Sequence, residues 1–99
     1  MRKLIAPILL FTVLLFGQQE AVISGRVTNS STGEPLPGAN VMVALTSYGS
    51  ATDINGEYII TVPASSVQGQ EAKVTARFIG YRDMSATVTL SPGSQSQDF

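Results

Sequence analysis

Residues 33–58, GEPLPGANVMVALTSYGSATDINGEY, decide how the chain is read. Two turn signals, Pro35-Leu36-Pro37-Gly38 and Asp53-Ile54-Asn55-Gly56, flank the clearest strand pattern in the sequence. In that strand, Asn40 to Leu45, Val41, Val43 and Leu45 alternate with Met42 and Ala44. Both faces are apolar, so the pattern predicts a central strand covered on more than one side. Pro37 pre-sets φ for a type II turn and Gly38 supplies the positive φ after it. Asn55-Gly56 is a strong hairpin signal, because both residue types tolerate positive φ.

The period of two extends outward from this unit. Ile23, Gly25 and Val27 form one face of a first strand, with Ser24 and Arg26 on the other. A short polar strand runs from Gly49 to about Thr52. Tyr58, Ile60 and Val62 line the next strand, which Pro63 ends by removing a ladder donor. Val74, Ala76 and Phe78 share a face, and so do Met84, Ala86, Val88 and Leu90. Pro92-Gly93 turns the chain again, and SQSQDF starts a strand that it leaves short at Gln97-Asp98-Phe99. Short strands spaced by turns, without a helical period, predict an all-β antiparallel sandwich.

The first 17 residues are of another kind. Arg2 and Lys3 precede 13 uncharged residues, Leu4 to Phe16, interrupted by Pro7. A basic start and a short apolar run predict a secretory signal peptide. The run is below the ~20 residues of a membrane-spanning helix. Cleavage is expected after Gly17 or Ala21, leaving one domain over 22–99. From Gln18 onward four bases (Arg26, Lys73, Arg77, Arg82) face seven acids (Glu20, Glu34, Asp53, Glu57, Glu71, Asp83, Asp98), a net charge of −3. The bases are scattered, which argues against nucleic acid as a partner.

The chain has no His and no Cys. Ser-His-Asp and Cys-His catalysis, the usual zinc sets and disulfide staples are therefore excluded. No catalytic residue and no cofactor is expected. Asp53, Asn55 and Glu57 offer oxygens at the alternating spacing of a calcium loop, but lack its further ligands. The competing reading is a turn in which Asp53 bonds to its own backbone. Asn29-Ser30-Ser31 matches a glycosylation sequon, which is taken as a chance match. The mature part has no Trp, and Tyr48, in a loop, is the candidate for an exposed sugar-stacking ring.

These strings together resemble a known family. Gly33-Glu34-Pro35-Leu36-Pro37-Gly38-Ala39-Asn40-Val41-Met42-Val43, Thr52-Asp53-Ile54-Asn55-Gly56-Glu57-Tyr58, Phe78-Ile79-Gly80-Tyr81 and the opening Ile23-Ser24-Gly25-Arg26-Val27 look like the carboxypeptidase regulatory-like domain. The resemblance covers about Val22 to Leu90. It implies a seven-stranded, transthyretin-like sandwich without catalytic residues. The signature residues Gly33, Pro35, Pro37, Gly38, Asp53, Gly56, Tyr58, Gly80 and Tyr81 then have fold roles, with Tyr58 placing its hydroxyl near water. In bacteria of the Bacteroidetes type this domain stands at the N-terminus of SusC-like TonB-dependent outer-membrane receptors, directly after the leader. The implied role is a non-catalytic accessory domain in the periplasm or outer membrane, whose partners are other receptor domains or envelope proteins. The alternative is a secreted or surface-displayed module for polysaccharide binding or protein assembly.

Overall fold

The structure, a computed structural model, describes residues 19–99. The expected leader lies outside the described residues. Seven strands follow: β1 Ala21–Arg26, β2 Asn40–Val43, β3 Gly49–Ala51, β4 Glu57–Val62, β5 Glu71–Arg77, β6 Met84–Thr89 and β7 Gly93–Ser96. A 3-10 turn, Ala64–Ser66, separates β4 from β5.

They form two sheets, one ordered β4-β1-β7 and one ordered β3-β2-β5-β6. Alternation drives the packing. In β4 Tyr58, Ile60 and Val62 are buried while Glu57, Ile59 and Thr61 are exposed. Ile23, Ile60 and Val62 from one sheet meet Val41, Val43 and Val74 from the other as the largest fully buried side chains. Each contributes roughly 1.5–3 kcal/mol on burial. This is the expected all-β sandwich.

Four details differ from the sequence reading. The first sheet is mixed: β7 runs parallel to β1, Ala21 beside Gly93 and Ser24 beside Ser96. β7 ends at Ser96, and backbone bonds to the β1 side continue past it to Phe99, where the Phe99 N–H donates to the Arg26 carbonyl at 2.8 Å. Second, β2 is central in its sheet but covered on one side only, since Asn40 is exposed and Met42 is 41% exposed. Third, β2 stops at Val43 and Leu45 points into solvent at φ 65°. Thr46 ends the strand: its N–H and hydroxyl both donate to the Val43 carbonyl, at 3.2 and 2.7 Å. A tight turn that satisfies these groups outweighs the burial of one leucine.

Fourth, Asp53–Gly56 does not join a hydrogen-bonded hairpin. β3 lies in one sheet and β4 in the other, so the turn carries the chain between sheets. Among its residues positive φ occurs at Gly56 alone, 75°, and not at Asn55. The Gly56 N–H donates to the Asp53 carbonyl at 2.9 Å. That is a four-residue turn followed by a left-handed glycine rather than a two-residue hairpin loop.

Candidate functional site

The topology gathers the signature residues at one end of the sandwich. β1 and β7 end there, β2 begins there, and β5 ends there beside the start of β6. Three loops meet at this end. The first, residues 27–39, is shaped by Asn29, whose side-chain oxygen accepts the N–H groups of Ser31 (2.8 Å) and Thr32 (3.2 Å). Its Nδ2 donates to the Tyr81 hydroxyl at 2.8 Å. The sequon asparagine is therefore engaged in joining two loops. Gly33 closes the same turn, its N–H donating to the Asn29 carbonyl at 2.7 Å. Pro35 bridges to Thr28. Gly38, at φ 79°, follows Pro37 as a type II turn requires.

The second loop is tied to the first by Thr52, the buried polar residue of the described core. Its hydroxyl donates to the Leu36 carbonyl at 2.5 Å and accepts the Ala39 N–H at 2.9 Å. Sequence reasoning gave Thr52 no role; the available signal was a β-former placed directly before the Asp-x-Asn-Gly turn. Asp53 Oδ1 accepts the N–H groups of Asn55 and Glu57, both at 2.9 Å. The Asn55 carbonyl accepts the Arg26 guanidinium at 3.2 and 3.3 Å. A carboxylate oxygen committed to two donors, with a cation on the neighbouring carbonyl, favours the turn over the calcium reading of Asp53, Asn55 and Glu57. Among the described residues no cluster of three or more His, Cys, Asp or Glu could hold a metal ion.

In the third loop the Tyr81 N–H donates to the Phe78 carbonyl at 3.0 Å across Gly80. The two rings meet edge to face at 5.3 Å. Tyr81 remains 45% exposed. Tyr48, expected to be the exposed ring, is half-buried against the core with its hydroxyl 3.0 Å from Ser66 Oγ. A threonine two residues earlier, Thr46, receives the Tyr48 N–H at 3.1 Å and holds the ring inward.

Tyr58 also differs from expectation. Its ring is 4% exposed, and its hydroxyl donates to the Gln97 carbonyl rather than facing water. Its ring also lies against Phe99, 6.2 Å between centroids. Burial, then the nearby Asp98 carboxylate, pushes its pKa up to about 12. The folded state therefore holds the proton that an unfolded tyrosine loses near pH 10. Stability from this group is complete below pH 10 and declines as pH rises towards 12. The urea midpoint of the parent is expected to fall across that window, and Tyr58→Phe to remove this part of the fall. The tyrosinate absorbance that Tyr58→Phe removes should belong to a late-ionising tyrosine, titrating towards pH 12; a lost component centred near pH 10 would contradict the placement of Tyr58.

Between the sheets at this end lies an open cleft of about 440 Å³, lined chiefly by Val27, Leu36, Phe78, Tyr81, Met84 and Phe99. Met84 lies in phase with the half-buried Ala86 and the core residue Val88 yet is 55% exposed, because the core is not closed at this end. Arg77 stands at the rim, paired with Asp83 at 3.1 Å. The arrangement offers apolar contact and backbone hydrogen bonding.

A sequence profile of the CarboxypepD_reg-like domain matches residues 23–99. The chain belongs to this family. The domain is 40% identical over 68 residues to TonB-dependent receptor P3 of Formosa agariphila, a match over 65% of this chain. The chain spans about 7% of that receptor's length. Chains in two crystal structures of cohesin–X-dockerin complexes from Acetivibrio cellulolyticus share the fold. They superpose with TM-scores of 0.58 and 0.60 at 19% and 21% identity, over 79% of this chain and 51% of each of theirs.

Proposed function

We propose that this CarboxypepD_reg-like domain is the non-catalytic accessory domain of a SusC-like TonB-dependent receptor for nutrient uptake, exported and held at the periplasmic side of the outer membrane. The carrying observation is the 40% identity to TonB-dependent receptor P3. The architecture supports it, since each signature residue is engaged in shaping turns or packing. Asp53 is bonded to its own turn, and Tyr58 has its hydroxyl on a backbone carbonyl. Reading the gene beyond Phe99 tests the proposal. A plug domain and a long strand-rich barrel are expected. A stop codon with no such partner nearby would overturn it.

The second reading is a surface-displayed module that binds a protein. The exposed Ile54, Ile79 and Met84 favour protein over polysaccharide, which asks for stacking rings. A pull-down from the envelope fraction with the isolated domain separates the two readings.

Export also sets where the leader is cut. Ala21 is fully buried and pairs with Val62 and Gly93. Cleavage after Ala21 would remove a core residue of β1, whereas cleavage after Gly17 spares the strand. The mass of the exported product should place Gln18 at its N-terminus; an N-terminus at Val22 would contradict this.

A further inference from the structure

We propose that Asn55 is a site of spontaneous deamidation to isoaspartate, held shut by the closed Asp53–Gly56 turn and admitted by local opening of that turn at Arg26. This chemistry is independent of the receptor reading.

In an Asn-Gly pair no side chain shields the following peptide nitrogen, so this is the asparagine setting most open to attack. The Gly56 nitrogen attacks Asn55 Cγ. An N–Cγ bond forms, the Cγ–Nδ2 bond breaks, and ammonia leaves with the proton that the Gly56 nitrogen gives up. Water then opens the five-membered imide at either carbonyl, giving aspartate or isoaspartate. Asn55 is exposed, and among the described residues its hydrogen bonds run through its backbone, which leaves the side-chain amide uncovered. The other asparagines are placed differently. Asn29 has its side chain bound to Ser31, Thr32 and Tyr81, and Asn40 precedes the β-branched Val41 within β2.

The fold opposes the attack at the nitrogen. The Asn55–Gly56 peptide is pinned at both ends: the Gly56 N–H donates to the Asp53 carbonyl at 2.9 Å, and the Asn55 carbonyl accepts the Arg26 guanidinium at 3.2 and 3.3 Å. A peptide plane held in this way cannot swing its nitrogen towards Cγ. Arg26 has two opposed effects. By drawing charge from the Asn55 carbonyl it favours loss of the Gly56 proton; by fixing the plane it denies the nitrogen its approach. Geometry decides, because a nitrogen that cannot reach Cγ gains nothing from a weaker N–H. Arg26 belongs to β1, while the turn joins β3 to β4, so its guanidinium ties the turn to the sheet from outside.

Isoaspartate lengthens the main chain by a carbon between residues 55 and 56. The Gly56 N–H and carbonyl, bound to Asp53 and Val27, cannot then both keep their partners. There is no slack to absorb the change, since even a Cβ at Gly56 would lie 2.7 Å from the Val27 carbonyl oxygen. A turn that reacts while open therefore cannot close again, and the site becomes a one-way record of lost structure.

Peptide mapping of the chain without its leader, incubated in mildly alkaline buffer, tests this. In urea Asn55 should react at the rate of a short Asn-Gly peptide, and in the folded domain roughly a hundredfold more slowly. Arg26→Gln should speed the folded-state reaction about tenfold while the domain stays folded. Val88→Ala, which weakens the core and spares the ties of the turn, should leave the folded-state rate at the parental value. Equal rates in urea and in the folded domain would overturn the protection. A slower reaction in Arg26→Gln would make the guanidinium an activator and overturn the latch. Equal acceleration by both variants would route the reaction through global unfolding and overturn the local opening.

Discussion

Gly56→Val is expected to unfold at a much lower urea concentration than the parent, with a loss of about 3 kcal/mol or more. Gly56 sits at φ 75°, a conformation that strains a β-branched residue. Space is also lacking: a Cβ there would lie 2.7 Å from the Val27 carbonyl oxygen and 2.9 Å from Pro35 Cβ. One neighbour is backbone and the other a proline ring, so neither yields by rotating a side chain. Shifting the turn would also break the bond from the Val27 N–H to the Gly56 carbonyl, 2.8 Å. Gly38→Ala separates the two causes. Gly38 has φ 79° but no atom within 4 Å of its would-be Cβ. It should lose about 1 kcal/mol, from strain alone. Against a total of roughly 5–15 kcal/mol for a small domain, the Gly56 variant approaches unfolding. Equal midpoints for Gly56→Val and the parent would show that the turn is wrongly assigned.

Gly25→Ala is the second large effect, and its sign is informative. In an ordinary strand this exchange stabilises by roughly 0.5–1 kcal/mol. Here a Cβ would collide with the Gln97 carbonyl oxygen and fall 2.8 Å from Asp98 Oδ1. The segment after β7 crosses directly over Gly25. Displacing it costs the bond from the Tyr58 hydroxyl to Gln97 and the 2.9 Å bond from the Arg26 N–H to Asp98. At about 0.5–1.5 kcal/mol per hydrogen bond plus overpacking of about 1–3 kcal/mol, a net loss of about 2–4 kcal/mol is expected. The late-ionising tyrosine should also titrate earlier, since its hydroxyl is freed. A variant as stable as the parent, with an unchanged titration, would contradict the crossing.

Alternation and turn chemistry made most of the sandwich legible. Tyr58, Ile60 and Val62 are buried as their period required, and Gly38 and Gly56 take the conformations their turns demand. Local pattern could not supply pairing. β7 joins β1 from more than 70 residues away in sequence, and nothing in GSQS distinguishes a parallel neighbour from an antiparallel one. Leu45 failed because the pattern ran smoothly through a turn decided by the Thr46 hydroxyl. At the site the residue types were readable and their partners were not. Asp53 was seen as a turn former, while Thr52 and Gly25 were missed because their partners come from other loops and from the chain's last residues. A glycine in mid-strand was the available signal for the crossing.

The central claim, that this domain serves as part of an outer-membrane receptor, is tested most directly by the size and location of the native polypeptide that carries it. An antibody raised against the domain should detect a receptor-length chain in the outer-membrane fraction. A free product the size of the mature chain, found in the periplasm or the medium, would contradict the claim.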